Sequence, residues 1–242
     1  MLEKTIFARP TIRRLTRLAA AGVLLTLAAC SPRTDAQSKR APAPVAIALV
    51  KTEAPAGAYK LDPAHTSVIF RVNHIGMSHY TRRFTAMKGE LDFDPAHPEA
   101  SRVTAAIDPG SIETDYPDPK LDFNAQLRGP EFLNVARFPT ITFRSTRVAL
   151  TGANTARITG DLSLHGVTRP VVLNARFNGG YAPNAMDPMG ARIGFSAQGV
   201  LKRAEFGMGY GVPPAGSTMG VSDEVEVLIE TEFTKPGPKP AP

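Results

Sequence analysis

The feature that most constrains this chain is alternation. In DEVEVLIETEF, Val225, Val227, Ile229 and Phe233 fall on one parity and Glu224, Glu226, Glu230 and Glu232 on the other. A period of two places successive side chains on opposite faces of an extended strand, and no helical spacing fits it. The stretch must therefore lie with one face buried and one in water.

The same period recurs through most of the chain. TSVIFRVNHIG puts Val68, Phe70, Val72 and His74 on one face; MKGELDF does so for Met87, Gly89, Leu91 and Phe93. Further strands are expected at RVTAAID (Val103, Ala105, Ile107), TITFRS (Ile141, Phe143) and RITGDLSLHG (Ile158, Leu162, Leu164). PVVLNARF (Val171, Leu173, Ala175, Phe177) and ARIGFSAQGVL (Ile193, Phe195, Ala197, Leu201) complete the set, with turn signals such as LTGANTA, HGVTRP and NGGYAPNAMDPMG between them. Eight strands at this spacing indicate an all-β sandwich or a closed up-and-down barrel. One interval, from Ser111 to Thr140, lacks alternation, and short helices are expected there at Asp122 to Leu127 and Pro130 to Val135.

An antiparallel barrel of about eight strands is the size whose inward side chains either fill it or line a pocket for one small ligand. The inward set here is Val, Ile, Leu, Phe and Ala with few charges. Periodicity alone leaves two readings open, a packed core and a dry lumen that takes apolar molecules.

Ahead of the strands, Lys4, Arg9, Arg13, Arg14 and Arg17 lead into an apolar run from Leu18 to Ala29. The run is shorter than the roughly 20 residues a spanning helix needs, and it has the form of a secretory signal peptide over residues 1–29. Leu27, Ala28, Ala29 and Cys30 resemble a bacterial lipobox, which would make Cys30, the single cysteine of the chain, the lipidated mature N-terminus. The alternative is an ordinary cleavage site. A thiol without a partner for a disulfide in an oxidising compartment favours lipidation. Ser31 then points to an outer-membrane lipoprotein on the periplasmic side.

Of 28 basic and 22 acidic residues, five and one precede Cys30, leaving 23 against 21, a formal +2. So small an excess gives no reason to expect nucleic acid as a partner. Residues 30–57, rich in Pro and Ala, read as a flexible tether with a reach of roughly 30 Å. Its apolar patch from Val45 to Val50 fits an edge strand or a membrane contact. The barrel is expected over residues 58–234, and the proline-rich residues 235–242 are expected to form a disordered tail.

The blocks YKLDPAHTSVIFRVNHIGMS, GELDFDPAHPEAS, FLNVARFPTITFRS, GDLSLHGVTRPVVL, KRAEFGM and SDEVEVLIE occur in this order from Tyr59 onward. Together they resemble the YceI-like family of bacterial periplasmic proteins, over roughly Tyr59 to Phe233. The resemblance implies a lipocalin-like antiparallel barrel with a long hydrophobic channel. It further implies polyisoprenoid ligands such as a polyprenyl quinone or polyprenyl phosphate, with other amphiphiles accommodated and no catalytic cofactor. Two positions depart from the family pattern. Arg82 stands where a glycine often precedes the phenylalanine of RRF by two residues, and Gln126 where a histidine often precedes the LR pair.

The lumen is thus expected to be lined by Val68, Phe70, Val72, His74, Leu91, Phe93, Val103, Ile107, Ile141, Phe143, Leu162, Leu164, Leu173, Phe195, Val227 and Ile229. His74, on an apolar face, is either a satisfied interior histidine or a polar contact for a head group. Arg128, Arg169 and Arg203 are the cationic head-group candidates, since a phosphate needs such partners and a quinone does not. Asp62, His65 and Ser67 fit local hydrogen bonds of a turn where the strand begins. The five histidines show no zinc-type spacing, so no metal is expected. A binding protein is expected rather than an enzyme, because no nucleophile elbow, nucleotide loop or cysteine nucleophile is present in the domain. A lumenal lipid hydrolase and a structural envelope protein with a filled core are the alternatives, and a homodimer is left open.

Overall fold

The computed structural model describes residues 47–188 and 190–237. The leader, Cys30 and the first part of the tether lie outside the described residues. Ten strands run in chain order: β1 (Gly57–His74), β2 (Ser78–Phe84), β3 (Met87–Phe93), β4 (Arg102–Ile107), β5 (Ile112–Glu113), β6 (Ile141–Gly152), β7 (Thr155–Leu164), β8 (Val167–Tyr181), β9 (Gly190–Lys202) and β10 (Val221–Pro236). One helix, α1 (Phe123–Arg128), lies between β5 and β6.

Eight of the strands close on themselves. The antiparallel order β1-β10-β9-β8-β7-β6-β4-β3 returns to β1, so the barrel of eight strands is complete and has no free edge at the seam. These eight are the strands the alternation marks. β2 and β5 are additional: they form a flap beside the ring, β2 pairing with the second half of β1 and β5 with the end of β2.

β1 makes both arrangements possible by changing partner on one edge. Gly57 to Lys60 pair with β3, whereas Val68 to His74 pair with β2; the other edge stays with β10. The change falls at a register shift between Asp62 and Ser67. Pro63 has no N–H to give a ladder, which suits it to such an irregularity. Asp62 organises the excursion: its carboxylate accepts from Ala64 N at 3.0 Å and His65 Nδ1 at 2.8 Å, and its carbonyl accepts from Thr66 Oγ1 at 2.7 Å. From β9, Arg192 Nη1 donates to Asp62 at 2.7 Å and to Glu232 of β10 at 2.8 Å, and its Nε reaches Asp187 at 3.3 Å. The local turn expected from Asp62 and His65 is present, but inside the strand rather than before it.

Side chains follow the pleat. On β10, Val225, Val227, Ile229 and Phe233 face inward, while Glu226 pairs with Arg71 and Glu230 accepts from Ser196 Oγ at 2.6 Å outside. One end of the barrel is plugged by Tyr59, Leu91, Phe93, Ile193 and Phe233. The other is narrowed by Ile141, Leu164, Phe206 and Met208.

Three boundaries differ from the sequence reading. Residues 47–56 rest on the barrel instead of running free: Val50 N bonds Ala153 O at 3.1 Å, Thr52 Oγ1 bonds Gly180 O at 3.1 Å, and Ala54 is buried in the plug. Of the apolar patch, Val45 and Ala46 lie outside the described residues; residues 47–50 form no strand, Ile47 and Val50 are exposed, and Leu49 and Val50 border a small pocket with Phe93 and Phe177. β10 continues through Lys235 and Pro236, opposite Ala191 and Gly190, so the tail begins later than 235. Pro130 to Val135 forms turns rather than a helix, with Asn134 at φ 44° accepting the left-handed conformation that Asn tolerates.

Asp62 titrates at about 2, below its ordinary 3.8, chiefly because of the His65 hydrogen bond and then Arg192 and the Ala64 N–H. A depressed carboxyl contributes stability above its unfolded value and loses it as pH falls through the folded one. The melting temperature should therefore drop between pH 3.8 and about 2. Asp62→Asn should melt lower at neutral pH and show a shallower drop in that window; an unchanged acid limb would remove Asp62 from the explanation.

Candidate functional site: an apolar cavity with one polar corner

The ring encloses a cavity of about 780 Å³. Its wall reaches along β10 from Val221 to Phe233, roughly 40 Å of strand at ~3.3 Å per residue. Fifteen of the sixteen expected lumen residues line it, from Val68, Phe70 and Val72 on β1 to Val227 and Ile229 on β10. Phe93 does not. Its ring lies 5.9 Å from Phe177 and 6.1 Å from Tyr59, inside the plug, because β3 has by then reached the closed end.

Small residues make room along the wall. A Cβ on Gly160 of β7 would stand 2.4 Å from the Phe143 ring, so the ring packs directly against bare backbone there. Polar side chains on the wall are few: Thr66, His74, Tyr80, Tyr116, Arg203 and Thr231. The two threonines bond each other at 3.0 Å. No carboxylate lines the cavity among the described residues.

Above Ile107 and Ile141, where β4 and β6 stop pairing, the wall is not strand but the connection from Thr114 to Thr140. Phe123 and Leu127 of α1 face the lumen four residues apart, and Tyr116, Leu121, Phe132 and Leu133 join them. Asp122 caps the helix by accepting from Ala125 N at 2.8 Å, and buried Thr114 donates to Asn124 Oδ1 at 2.7 Å, which ties α1 to β5. Tyr116 and Leu121 are both lining and exposed, 42% and 44%, and His74 at the end of β1 is exposed as well. The mouth lies here, opposite the plug. The sequence reading missed the lining of this connection, although the spacing of Phe123 and Leu127 within the expected helix carried the signal.

The YceI-like domain matches residues 59–233. The chain belongs to the YceI-like family. A UPF0312 protein of Ectopseudomonas mendocina is 37% identical over 188 residues, 76% of this chain and 91% of that protein. Protein YceI of Salmonella arizonae is 38% identical over 180 residues, 73% and 86% of the respective chains. Among solved structures, a Campylobacter jejuni YceI protein shares 25% identity with a TM-score of 0.56, covering 67% of this chain and 89% of its own. Burkholderia cenocepacia BcnA, at 23% identity and TM-score 0.58 over 71% of this chain and 98% of its own, has the same fold.

Within this YceI-like barrel the expected head-group arginines have other work. Arg203 borders the lumen, but it is 7% exposed and donates to four main-chain carbonyls. Its Nε bonds Ser222 O at 2.9 Å, Nη1 bonds Met208 O at 2.9 Å and Tyr210 O at 2.7 Å, and Nη2 bonds Val221 O at 2.8 Å. Burial lowers its pKa. It ties the loop after β9 to the start of β10. Arg128 lies outside the lining, at the end of α1, 3.7 Å from Asp122. Arg169 lies outside too, its Nε on Glu205 O at 2.8 Å.

The HGVTRP motif serves the same end of the fold. His165 at φ 52° and Gly166 at φ 77° make the β7–β8 turn, and a Cβ on Gly166 would meet Phe138 at 2.4 Å. His165 Nδ1 donates to Phe206 O at 3.0 Å. Asp62, His65 and Glu232 offer ligand atoms within 4.8 Å of one another, but the Arg192 guanidinium already supplies a cation between the two carboxylates.

Arg203→Met should lower stability by on the order of 3 kcal/mol, since it strands several buried carbonyls. Urea denaturation measures this. A neutral result would mean that the four bonds are replaced by water.

Proposed function

We propose that this protein binds one long apolar lipid in the barrel, with an isoprenoid such as a polyprenyl quinone or polyprenyl phosphate as the ligand class. The observation that carries the reading is the cavity itself: about 780 Å³, elongated, apolar on nearly every face and closed at one end. That volume lies within the ~300–1,000 Å³ of small-molecule sites. A filled core would have interdigitated side chains there. Family membership and the six sequence blocks support the same reading, which is of a carrier or sequestering protein rather than a catalyst.

Burial of the tail drives binding. Each CH₂-sized group removed from water contributes about 0.8 kcal/mol, so a five-carbon isoprene unit contributes several. We further propose that Cys30 anchors the mature chain by lipid to the periplasmic face of the outer membrane, a reading that rests on the leader and the LAAC sequence. Cys30→Ala should then move the protein from the membrane to the soluble fraction.

Native mass spectrometry of the full-length protein purified from a bacterial envelope, with extraction of what it carries, tests the ligand class. One isoprenoid per chain is expected. Affinity for added polyprenols should rise with chain length until the cavity is full; a flat series would dismiss tail burial as the mechanism. Phe70→Asp, which sets a carboxylate in the apolar wall, should abolish binding while circular dichroism still reports the barrel.

A further inference from the structure

The flap carries a polar pair that the arginines considered above do not account for. On β2, Tyr80, Arg82 and Phe84 are half-buried, whereas Thr81 and Arg83 are exposed, so the first three face inward. Tyr80 stands opposite Val72 and Arg82 opposite Phe70, both of which line the cavity. Tyr80 lines it directly, its ring edge-on to Phe123 of α1 at 6.1 Å between centroids. The Arg82 guanidinium lies over the Tyr80 ring, 3.9 Å from its centroid.

Both side chains have buried polar atoms without a partner. Among the described residues, the Tyr80 hydroxyl and Arg82 Nε make no hydrogen bond, and the one bond of Arg82 runs from Nη1 to Thr81 O at 2.6 Å. Among the described residues no carboxylate pairs with Arg82. Its neighbour Arg83 is paired, Nε donating to Glu113 at 2.7 Å, as are Arg71 with Glu226 and Arg192 with three acids. Arg82 is thus a half-buried cation with no carboxylate partner among the described residues, stacked on a ring that lines the lumen although Arg82 does not itself form part of the wall.

Such groups are costly to bury alone, and a guanidinium is stabilised above all by an oxyanion that accepts its planar fork. The phenol supplies a further donor. A ligand that satisfies both is rich in acceptors and negatively charged. We propose that Tyr80 and Arg82 form the head-group site of this protein, selecting lipids that end in an oxyanion, phosphate or carboxylate, over neutral lipids with the same tail. The proposal rests on the reading of the lumen as a lipid site. The apolar tail would occupy the lumen toward the plug and the charged end would remain under the flap, near the mouth marked by Tyr116 and Leu121.

The test compares matched pairs on delipidated full-length protein: a polyprenyl phosphate against the polyprenol of equal length, and a long-chain fatty acid against its alcohol. Wild type should prefer the anionic member of at least one pair by about tenfold or more, the range of a hydrogen bond to a charged group; which pair responds names phosphate or carboxylate. Arg82→Met should bring the ratio near one without changing the affinity for the alcohols, and Tyr80→Phe should reduce it severalfold. Arg83→Met, on the outward face, should leave it intact. Equal binding of acid and alcohol by wild type, or a preference that survives Arg82→Met, overturns the head-group site while the lumen reading stands. Binding of no lipid in either pair overturns both. Should Arg82→Met fail to fold, an undiminished ratio in Tyr80→Phe has the same overturning force.

Discussion

The structure depends on the ion cluster at which Arg192 holds Asp62 and Glu232. Three strands meet there: β9 gives the guanidinium, β10 one carboxylate and β1 the other. Held in place, Asp62 fixes the excursion of Pro63 to Thr66, and the excursion lets β1 leave β3 and take up β2 without losing β10. Without that change of partner the barrel would be a plain ring, and the second half of β1 would present an open edge. The charges are partly exposed, so their value lies less in raw Coulomb energy than in geometry: several charge-assisted bonds converge on one carboxylate and specify one register.

Most of the ring was legible because burial on one face and water on the other write a period of two into the sequence. All eight ring strands carry it. β2 does not, since its inward face reads Tyr80, Arg82, Phe84, and a cation in the middle of an inward face looks like a solvated one. β5 is two residues long and carries no period at all. Residues 47–56 were unreadable for another reason: Pro and Ala mask whether a stretch floats or docks, and what holds Thr52 and Val50 is bonding from a side-chain hydroxyl and a backbone N–H to distant main-chain carbonyls.

The cavity wall was legible for the same reason as the ring, while the polar residues were not. Alternation says which way a side chain points and nothing about how much of its hydrogen-bonding capacity is already used. Arg203 and Arg82 are both inward-facing arginines; one is satisfied by four carbonyls and the other lacks a partner for its Nε. Phe93 shows the limit along the other axis, since parity places it inward but cannot tell the lumen from its plug. Arg82, one of the two departures noted in the sequence, places its side chain on the inward face of the flap.

The split pairing of β1 separates two properties that a simple barrel would join. Freeing β2 breaks its ladders with β1 and β5 and the packing of Tyr80 on Phe123, yet each of the eight ring pairings can remain intact, because β1 keeps β3 through its first half and β10 along its other edge. Local opening of that kind draws on the low-energy end of a protein's fluctuations and not on its global unfolding. On the proposed reading of the lumen as a lipid site, access to it can change with β2, β5 and the helix beside them while the closure of the ring stays as it is.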